Sequence, residues 1–292
     1  MAWLSNPPTR RQFMQTIISG AAAYSVMPSK AAGEISKWAW LSDTHIPQNK
    51  PDGYRGFDPQ DNLTAAVPQV LEAKPEGVVI TGDLARLEGF EGDYAMLKQI
   101  AKPMLDELPV CMALGNHDNR ANFTKAFQPH IQNAQEVANK HIVSVETPTA
   151  RLVTLDSLLY VNKVAGLLGK GQRAWLETYL ESIDDKPVVL FVHHTLDDSD
   201  GSLLDSDWLL KHVASVPKVK AIVYGHSHVY RFEEVDGLHL INLPALGYNF
   251  RDTDPIGWVL AELRQDGVDL TLNAIGGDTS SHGKTTSLKW RS

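Results

Sequence analysis

From residue 36 onward, short apolar runs alternate with longer stretches whose apolar residues recur every three or four positions. The short runs Trp38–Leu41, Gly77–Thr81, Val110–Leu114, Arg151–Asp156, Val188–Val192 and Val219–Tyr224 predict strands. Those that are apolar throughout fit strands covered on both faces. Between them, Asp61–Ala73 predicts a helix capped by Asn62, with Leu63, Val67, Val70 and Leu71 on one face and Pro68 within it. Tyr94–Ala101, Gly171–Ser182 and Asp205–Val213 predict further helices, and Asn122–Asn139 a helix in pieces, broken at Pro129. After Val229 the pattern changes to two hairpins: Phe232–Val235 with Leu238–Leu243, and Trp258–Leu263 with Val268–Leu272. Alternating strands and helices predict a layered α/β domain, with the hairpins adding strands to the same core. The segment from Gly276 to Ser292 is polar and predicts a loosely ordered tail.

The N-terminal residues read as a separate unit. Paired Arg10-Arg11 precede the modestly apolar run Thr16–Met27, which is too short to span a bilayer, and Ser29-Lys30-Ala31-Ala32 supplies small residues for cleavage. No acidic residue occurs before Glu34. This resembles a twin-arginine export signal over residues 1–32, and it implies the twin-arginine export machinery as a partner and a periplasmic or secreted destination. Residues 33–275 are then the folded domain. The alternative is an N-terminal helix that stays attached.

Composition narrows the function. The chain has 292 residues and a formal net charge of −8, and removing Arg10, Arg11 and Lys30 makes it more acidic still. That balance argues against nucleic acid as a partner, since phosphate backbones are held by Lys and Arg. No second long apolar stretch suggests a membrane span in the mature chain. The single cysteine, Cys111, lies in an apolar run and reads as a core residue.

The predicted strands end on unusual residues. Asp43 and His45 follow the first, Gly82-Asp83 the second, and Gly115-Asn116-His117-Asp118 the third. His193-His194 follow the Val188 strand, and Gly225-His226-Ser227-His228 the Val219 strand. Residues two apart on an extended strand share a face, so Asp43 and His45 are expected to project together. Each group alone has an ordinary reading as a polar turn or a packed histidine. Together they place six of the eleven histidines at carboxyl ends of strands, where open α/β sheets build their sites.

The order Asp-x-His, Gly-Asp, Gly-Asn-His-Asp, His-His, Gly-His-x-His, over about Trp38 to Pro244, resembles that of the calcineurin-like metallophosphoesterases. It is most similar to the branch holding class III cyclic nucleotide phosphodiesterases and glycerophosphodiesterases. Leu155-Asp156-Ser157 and Gln172 with Trp175-Leu176 also fit that branch. One departure is that Thr195-Leu196, then acidic Asp197, Asp198 and Asp200, follow the histidine pair, where that branch usually has prolines.

The resemblance implies an α/β/β/α sandwich with a dinuclear metal site. It implies Asp43, His45 and His228 on one metal, Asn116, His193 and His226 on the second, and Asp83 bridging. His117 is implied to sit beside the phosphate, stabilising charge or protonating the leaving oxygen. Asp118 and His194 are candidates for supporting roles, His194 with a packing alternative. Two metals activate a water and neutralise phosphoryl oxygens, and mixed N/O ligands suit Fe, Mn, Zn or Co without choosing among them. The expected substrate is a small phosphodiester, attacked by a metal-bridging hydroxide. A phosphomonoesterase or nucleotide pyrophosphatase with the same metals is the alternative, and a non-catalytic scaffold a more distant one. Tyr54 and Arg55, in the loop after the first ligand pair, are candidate substrate contacts, with Arg55 expected on phosphate. Tyr248-Asn249-Phe250 is a second candidate wall.

Overall fold

A computed structural model describes residues 33–50 and 54–292, so residues 1–32, with the expected export signal, lie outside the described residues. The chain forms strands β1 (Ser36–Leu41), β2 (Gly77–Ile80), β3 (Val110–Met112), β4 (Ala134–Gln135), β5 (Ile142–Glu146), β6 (Arg151–Thr154) and β7 (Val188–Phe191). It continues with β8 (Val219–Tyr224), β9 (Arg231–Val235), β10 (Leu238–Asn242), β11 (Pro255–Arg264), β12 (Gly267–Gly277) and β13 (Thr285–Lys289). The helices are α1 (Pro59–Glu72), α2 (Glu91–Glu107), α3 (Arg120–Phe127), α4 (Gly169–Ser182) and α5 (Ser206–Ala214). One sheet has the order β13-β12-β11-β1-β2-β3, the other β4-β5-β6-β7-β8-β10-β9.

Side-chain alternation explains the layering. Trp38 and Trp40 of β1 point between the sheets, where they join Val189 and Phe191 of β7, Val223 of β8 and Ile241 of β10. Trp40 meets Phe191 edge-on, ring centroids 5.2 Å apart. Ala39 and Leu41, the alternate residues of β1, face outward onto Leu63, Val67 and Val70 of α1 and Leu97 and Met104 of α2. On the other sheet, Val188 and Leu190 of β7 face Leu176 and Leu180 of α4 and Leu209 and Val213 of α5. The result is the expected α/β/β/α sandwich: both faces of the central strands are dry, as their continuous apolar runs require.

Several local expectations are corrected. Helix α1 begins earlier than expected and is capped by Asp58, whose carboxylate accepts from the Gln60 and Asp61 amides at 2.9 and 3.2 Å. Asn62 instead donates from Nδ2 to the carbonyls of Leu246 and Gly247, at 3.0 and 2.8 Å, and ties α1 to the loop after β10. Both residue types cap helices, and only tertiary packing shows which one a distant loop needs. The 276–292 segment is not a loose tail. Strand β13 pairs antiparallel with β12, and the Leu288 and Trp290 side chains pack against the inter-sheet core. Two apolar residues among polar ones suffice for an edge strand that buries one side. Strands β4 and β5 were not foreseen.

Candidate metal centre

Sheet-end loops assemble the site by backbone lacing. The Asp43, His45 and Ile46 amides donate to the carbonyls of Gly82, Asp83 and Leu84 at 3.1, 2.9 and 2.9 Å. On the other side, the Leu246 and Gly247 amides donate to the Ser42 and Asp43 carbonyls at 2.9 and 2.8 Å. The Gly225 amide donates to the His193 carbonyl at 3.0 Å, joining the fourth and fifth groups. Thus residues far apart in sequence are fixed by hydrogen bonds that need no side chain.

The convergence of Asp43 and His45 does not come from strand alternation. Strand β1 stops at Leu41, and both residues take left-handed backbone angles, φ 51° and 47°. Asp83 (48°), His226 (69°) and His228 (56°) do the same. Left-handed backbone at a non-glycine residue costs about 1–2 kcal/mol. Five such residues are gathered here because each sheet strand must turn sharply to aim a side chain back over its own end. Glycines make the room: a Cβ on Gly225 would lie 1.9 Å from Ser42 Oγ and 2.3 Å from Asp43 Oδ2.

Asp43, His45 and His228 offer ligand atoms within 4.8 Å of one another, and Asp83, His193 and His226 form a second such group. Asp83 lies between them: its Oδ2 is 3.7 Å from His45 Nε2 and 3.3 Å from His193 Nε2. Ring nitrogens face each other across each group, His45 Nε2 to His228 Nε2 at 3.1 Å and His226 Nδ1 to His193 Nε2 at 3.2 Å. Asn116 Oδ1 is buried without a hydrogen-bond partner among the described residues, as are His45 Nδ1 and His193 Nδ1. The His228 tautomer is set by its Nδ1, which donates to the Tyr248 carbonyl at 2.6 Å and leaves Nε2 as a lone-pair donor.

The electrostatics fit a cation. Burial alone would raise the Asp43 and Asp83 carboxyls, yet the imidazoles around them hold both well below the usual carboxylate range. Burial pushes His45 down to about 3 and His226 to about 4, so both are neutral. These are the protonation states that metal ligation requires. His193 differs: burial opposes its proton, but Asp83 and Asp43 pull it up to about 9. The field that draws a proton there is the field a divalent cation would meet. Two wholly buried carboxylates with imidazoles as their ion-pair partners are otherwise hard to account for.

The remaining expected residues fall in distinct places. His117 stands at the edge of the cluster, its Nε2 3.9 Å from Asp83 Oδ2 and its Nδ1 donating to the Leu87 carbonyl at 2.9 Å. Asp118 does not touch the His117 ring. It accepts from the Gly115, Leu84 and Ala85 amides at 2.9, 3.2 and 3.2 Å and from the Tyr94 hydroxyl at 3.0 Å. Burial and the negative Asp83 push its carboxyl up, to about 7, against those backbone donors. His194 Nδ1 is hydrogen-bonded to Ser157 Oγ at 2.7 Å, and its ring packs on that of His226, so it supports the second group from behind. Gln172 clamps the Asp156 amide and carbonyl, which accounts for the Leu155-Asp156-Ser157 and Gln172 similarity. The loop with Asp197 turns on itself through Ser199 and Ser202.

Arg55 is not aimed at the cluster. It donates to the Phe250 carbonyl at 2.6 Å and pairs with Asp252. Its neighbour Tyr54 lies 4.9 Å from the Tyr248 ring, which stacks on His45 at 4.7 Å. The Tyr248–Phe250 segment thus lies against His45 and His228, and the Arg55 guanidinium is bonded to it. Sequence reading missed Ser42, whose hydroxyl donates to Asp43 Oδ2 and accepts from Thr81. Its signal was faint: a hydroxyl directly before a ligand at a strand end.

Comparison with known proteins agrees with this geometry. A family model described as calcineurin-like phosphoesterase matches residues 37–230. The chain is 27% identical over 254 residues to a 3′,5′-cyclic adenosine monophosphate phosphodiesterase of Haemophilus influenzae, covering 82% of this chain and 89% of that protein. It is 26% identical over 229 residues to the glycerophosphodiester phosphodiesterase of Enterobacter lignolyticus, covering 74% and 81%. Among solved structures, a dimetal phosphatase from Danio rerio shares the fold, with a TM-score of 0.66 at 15% identity, covering 88% of this chain and 99% of that one. The ordered set of strand-end ligands and the matched span together identify the chain as a member of the calcineurin-like phosphoesterases, metal-dependent hydrolases of phosphoric esters.

Proposed function

We propose that this protein hydrolyses a small phosphodiester at a two-metal centre held by Asp43, His45, His228, Asp83, Asn116, His193 and His226. The observation that carries the reading is Asp83, whose carboxylate belongs to one group of ligand atoms with His193 and His226 and to another with His45 and His117. When bound, the metals lower the pKa of water and neutralise phosphoryl oxygens. The protein's part is orientation. The Tyr248 carbonyl accepts from His228 Nδ1 and so turns Nε2 toward Asp43, and Asp118 holds the backbone just after Asp83 and just before Asn116. His117 donates its Nδ1–H to the Leu87 carbonyl, which turns Nε2 toward the cluster, and a second proton taken up at Nε2 would be the one delivered to the leaving oxygen. The wide relatives named as phosphodiesterases support a diester substrate over a monoester.

Turnover of bis(p-nitrophenyl) phosphate and p-nitrophenyl phosphate by metal-loaded protein tests this, with metal content measured on the same sample. Equal or faster turnover of the monoester would count against a diesterase. A folded preparation that takes up no transition metal would overturn the catalytic reading. We also propose export through the twin-arginine machinery, supported by Arg10-Arg11 and the short apolar run that follows. Replacing both arginines with lysine should trap the chain in the cytoplasm of its host; unchanged fractionation would refute it.

A further inference from the structure

Beside the metal centre a second cleft opens, of about 840 Å³, lined by Arg120 and Thr124 of α3, Asn139 and Lys140 ahead of β5, Tyr160, and Gly169 at the start of α4. Its lining holds no candidate metal ligand. The two places share a wall: the Asn162 amide, in the loop that carries Tyr160, donates to the Asn116 carbonyl at 2.6 Å.

Charge in this cleft is unbalanced. Arg120 and Lys140 stand around one carboxylate, Asp156, which is fully buried. Asp156 is satisfied without Lys140. Arg120 Nε and Nη2 donate to its oxygens at 2.6 and 2.8 Å, and the His141 and Leu158 amides at 2.9 and 3.0 Å. Lys140 Nζ donates only to carbonyls, of Asp156, Leu167 and Leu158, at 2.9, 2.8 and 3.4 Å, and stands 4.0 Å from the carboxylate. Asp205, the next carboxylate to act on it, is engaged by the Leu168 and Gly169 amides and by Arg173. One positive charge is left over, on a side chain only 14% exposed. Burial, and after it Arg120, pull the Lys140 ammonium below its ordinary pKa against the attraction of Asp156. Arg120 also has donors to spare. Of the five N–H groups of a guanidinium, those on Nε and Nη2 are taken by Asp156 and the Leu158 carbonyl, while Nη1 forms no hydrogen bond among the described residues.

We infer that this cleft binds a phosphate group, separately from the metal centre, with Arg120 Nη1 and the Thr124 hydroxyl as donors and Lys140 supplying the charge. The edge of a guanidinium suits phosphate oxygens. The cleft has the volume of an ordinary small-molecule site, and Tyr160, 71% exposed, gives it an aromatic side. Both features suit a phosphate carried on a small organic body. A neutral or cationic ligand would leave the surplus charge unanswered.

Counting sites on the metal-loaded protein tests this. Equilibrium dialysis against labelled orthophosphate in about 0.15 M salt, where loose surface attraction is screened, should find one site in the cleft besides the metal centre. Thr124→Glu, a change at an exposed residue that puts a carboxylate into the cleft, should remove that site, while Thr124→Gln keeps it. Arg120→Lys, which can still pair with Asp156, should weaken it about tenfold or more. Ribose 5-phosphate should displace phosphate from the cleft at least as well as unlabelled phosphate does. Metal content and melting temperature of each variant exclude a folding defect. A lone wild-type site that Asn116→Ala removes and Thr124→Glu leaves, or both sites intact in Thr124→Glu, overturns the inference, and exclusion of the sugar phosphate overturns the organic ligand. A lone site that survives chelation and is lost in Thr124→Glu would instead uphold the cleft and count against phosphate binding at the metal centre.

Discussion

Asp118→Ala should destabilise the protein substantially even without metal, because one carboxylate serves four donors. Three are backbone amides, of Gly115, Leu84 and Ala85, and the fourth is the Tyr94 hydroxyl. An unsatisfied buried donor costs about 1–3 kcal/mol. The Asn119 amide donates to the Tyr94 oxygen at 2.7 Å and offers its O–H no acceptor, so all four donors are orphaned. Removing a carboxyl that burial and Asp83 have pushed up to about 7 gives some relief, since the two negative groups no longer repel. Water entering the vacated space gives more. The balance is a loss of about 3 kcal/mol, or roughly 6–12 °C in melting temperature for a chain of this size. Thermal unfolding of chelator-treated wild type and variant measures it free of metal effects. The donors belong to Leu84, next to Asp83, and to Gly115, next to Asn116, so affinity for the second metal should also fall about 10- to 100-fold. A midpoint within about 2 °C of wild type would show that the clamp is not structural, and the argument would fail.

Other substitutions probe the centre directly. Gly225→Ala places a Cβ 2.3 Å from Asp43 Oδ2, and it should lower metal content and cut turnover about a hundredfold; full metal occupancy with normal rate would refute the fit. Asn116→Ala should empty the second position and reduce kcat at least tenfold, and a rate within about twofold of wild type would show the ligand set to be wrong. His117→Ala should lose about 10²–10⁴ in rate on alkyl phosphodiesters and far less on nitrophenyl esters, whose phenolate leaves without a proton. Similar losses on both would assign His117 to charge stabilisation instead. Arg55→Ala should leave the affinity for inorganic phosphate within about threefold, because its guanidinium is held by Asp252 and the Phe250 carbonyl; a larger loss would put it on the phosphate after all.

The hydrophobic pattern carried most of the architecture. Trp38, Trp40, Val188 and Leu190 alternate or run continuously because both faces of these strands are buried, and that property is local enough to read along the chain. It failed where local signals were thin. Strand β4 is two residues in a polar stretch, β5 is five residues of which Ile142, Val143 and Val145 are apolar, and β13 is paired to the edge that β12 offers, with Leu288 on the inter-sheet core. Asn62 shows the same limit: a capping residue by type, it bonds instead to a loop more than 180 residues later.

The sequence by itself determined the chemistry of the centre, because the number, kind and order of its Asp, Asn and His residues at strand ends are properties of the chain. Only the tertiary structure decided their geometry. Asp43 and His45 converge through paired left-handed residues locked by amides of other loops, and not through strand alternation. Which nitrogen of His228 faces the cluster depends on a carbonyl twenty residues away, and Arg55 is held by the Phe250 carbonyl, 195 residues on. Ligand identity is written one residue at a time, whereas aim and reach are set by backbone hydrogen bonds between segments distant in sequence, which the order of residues does not reveal.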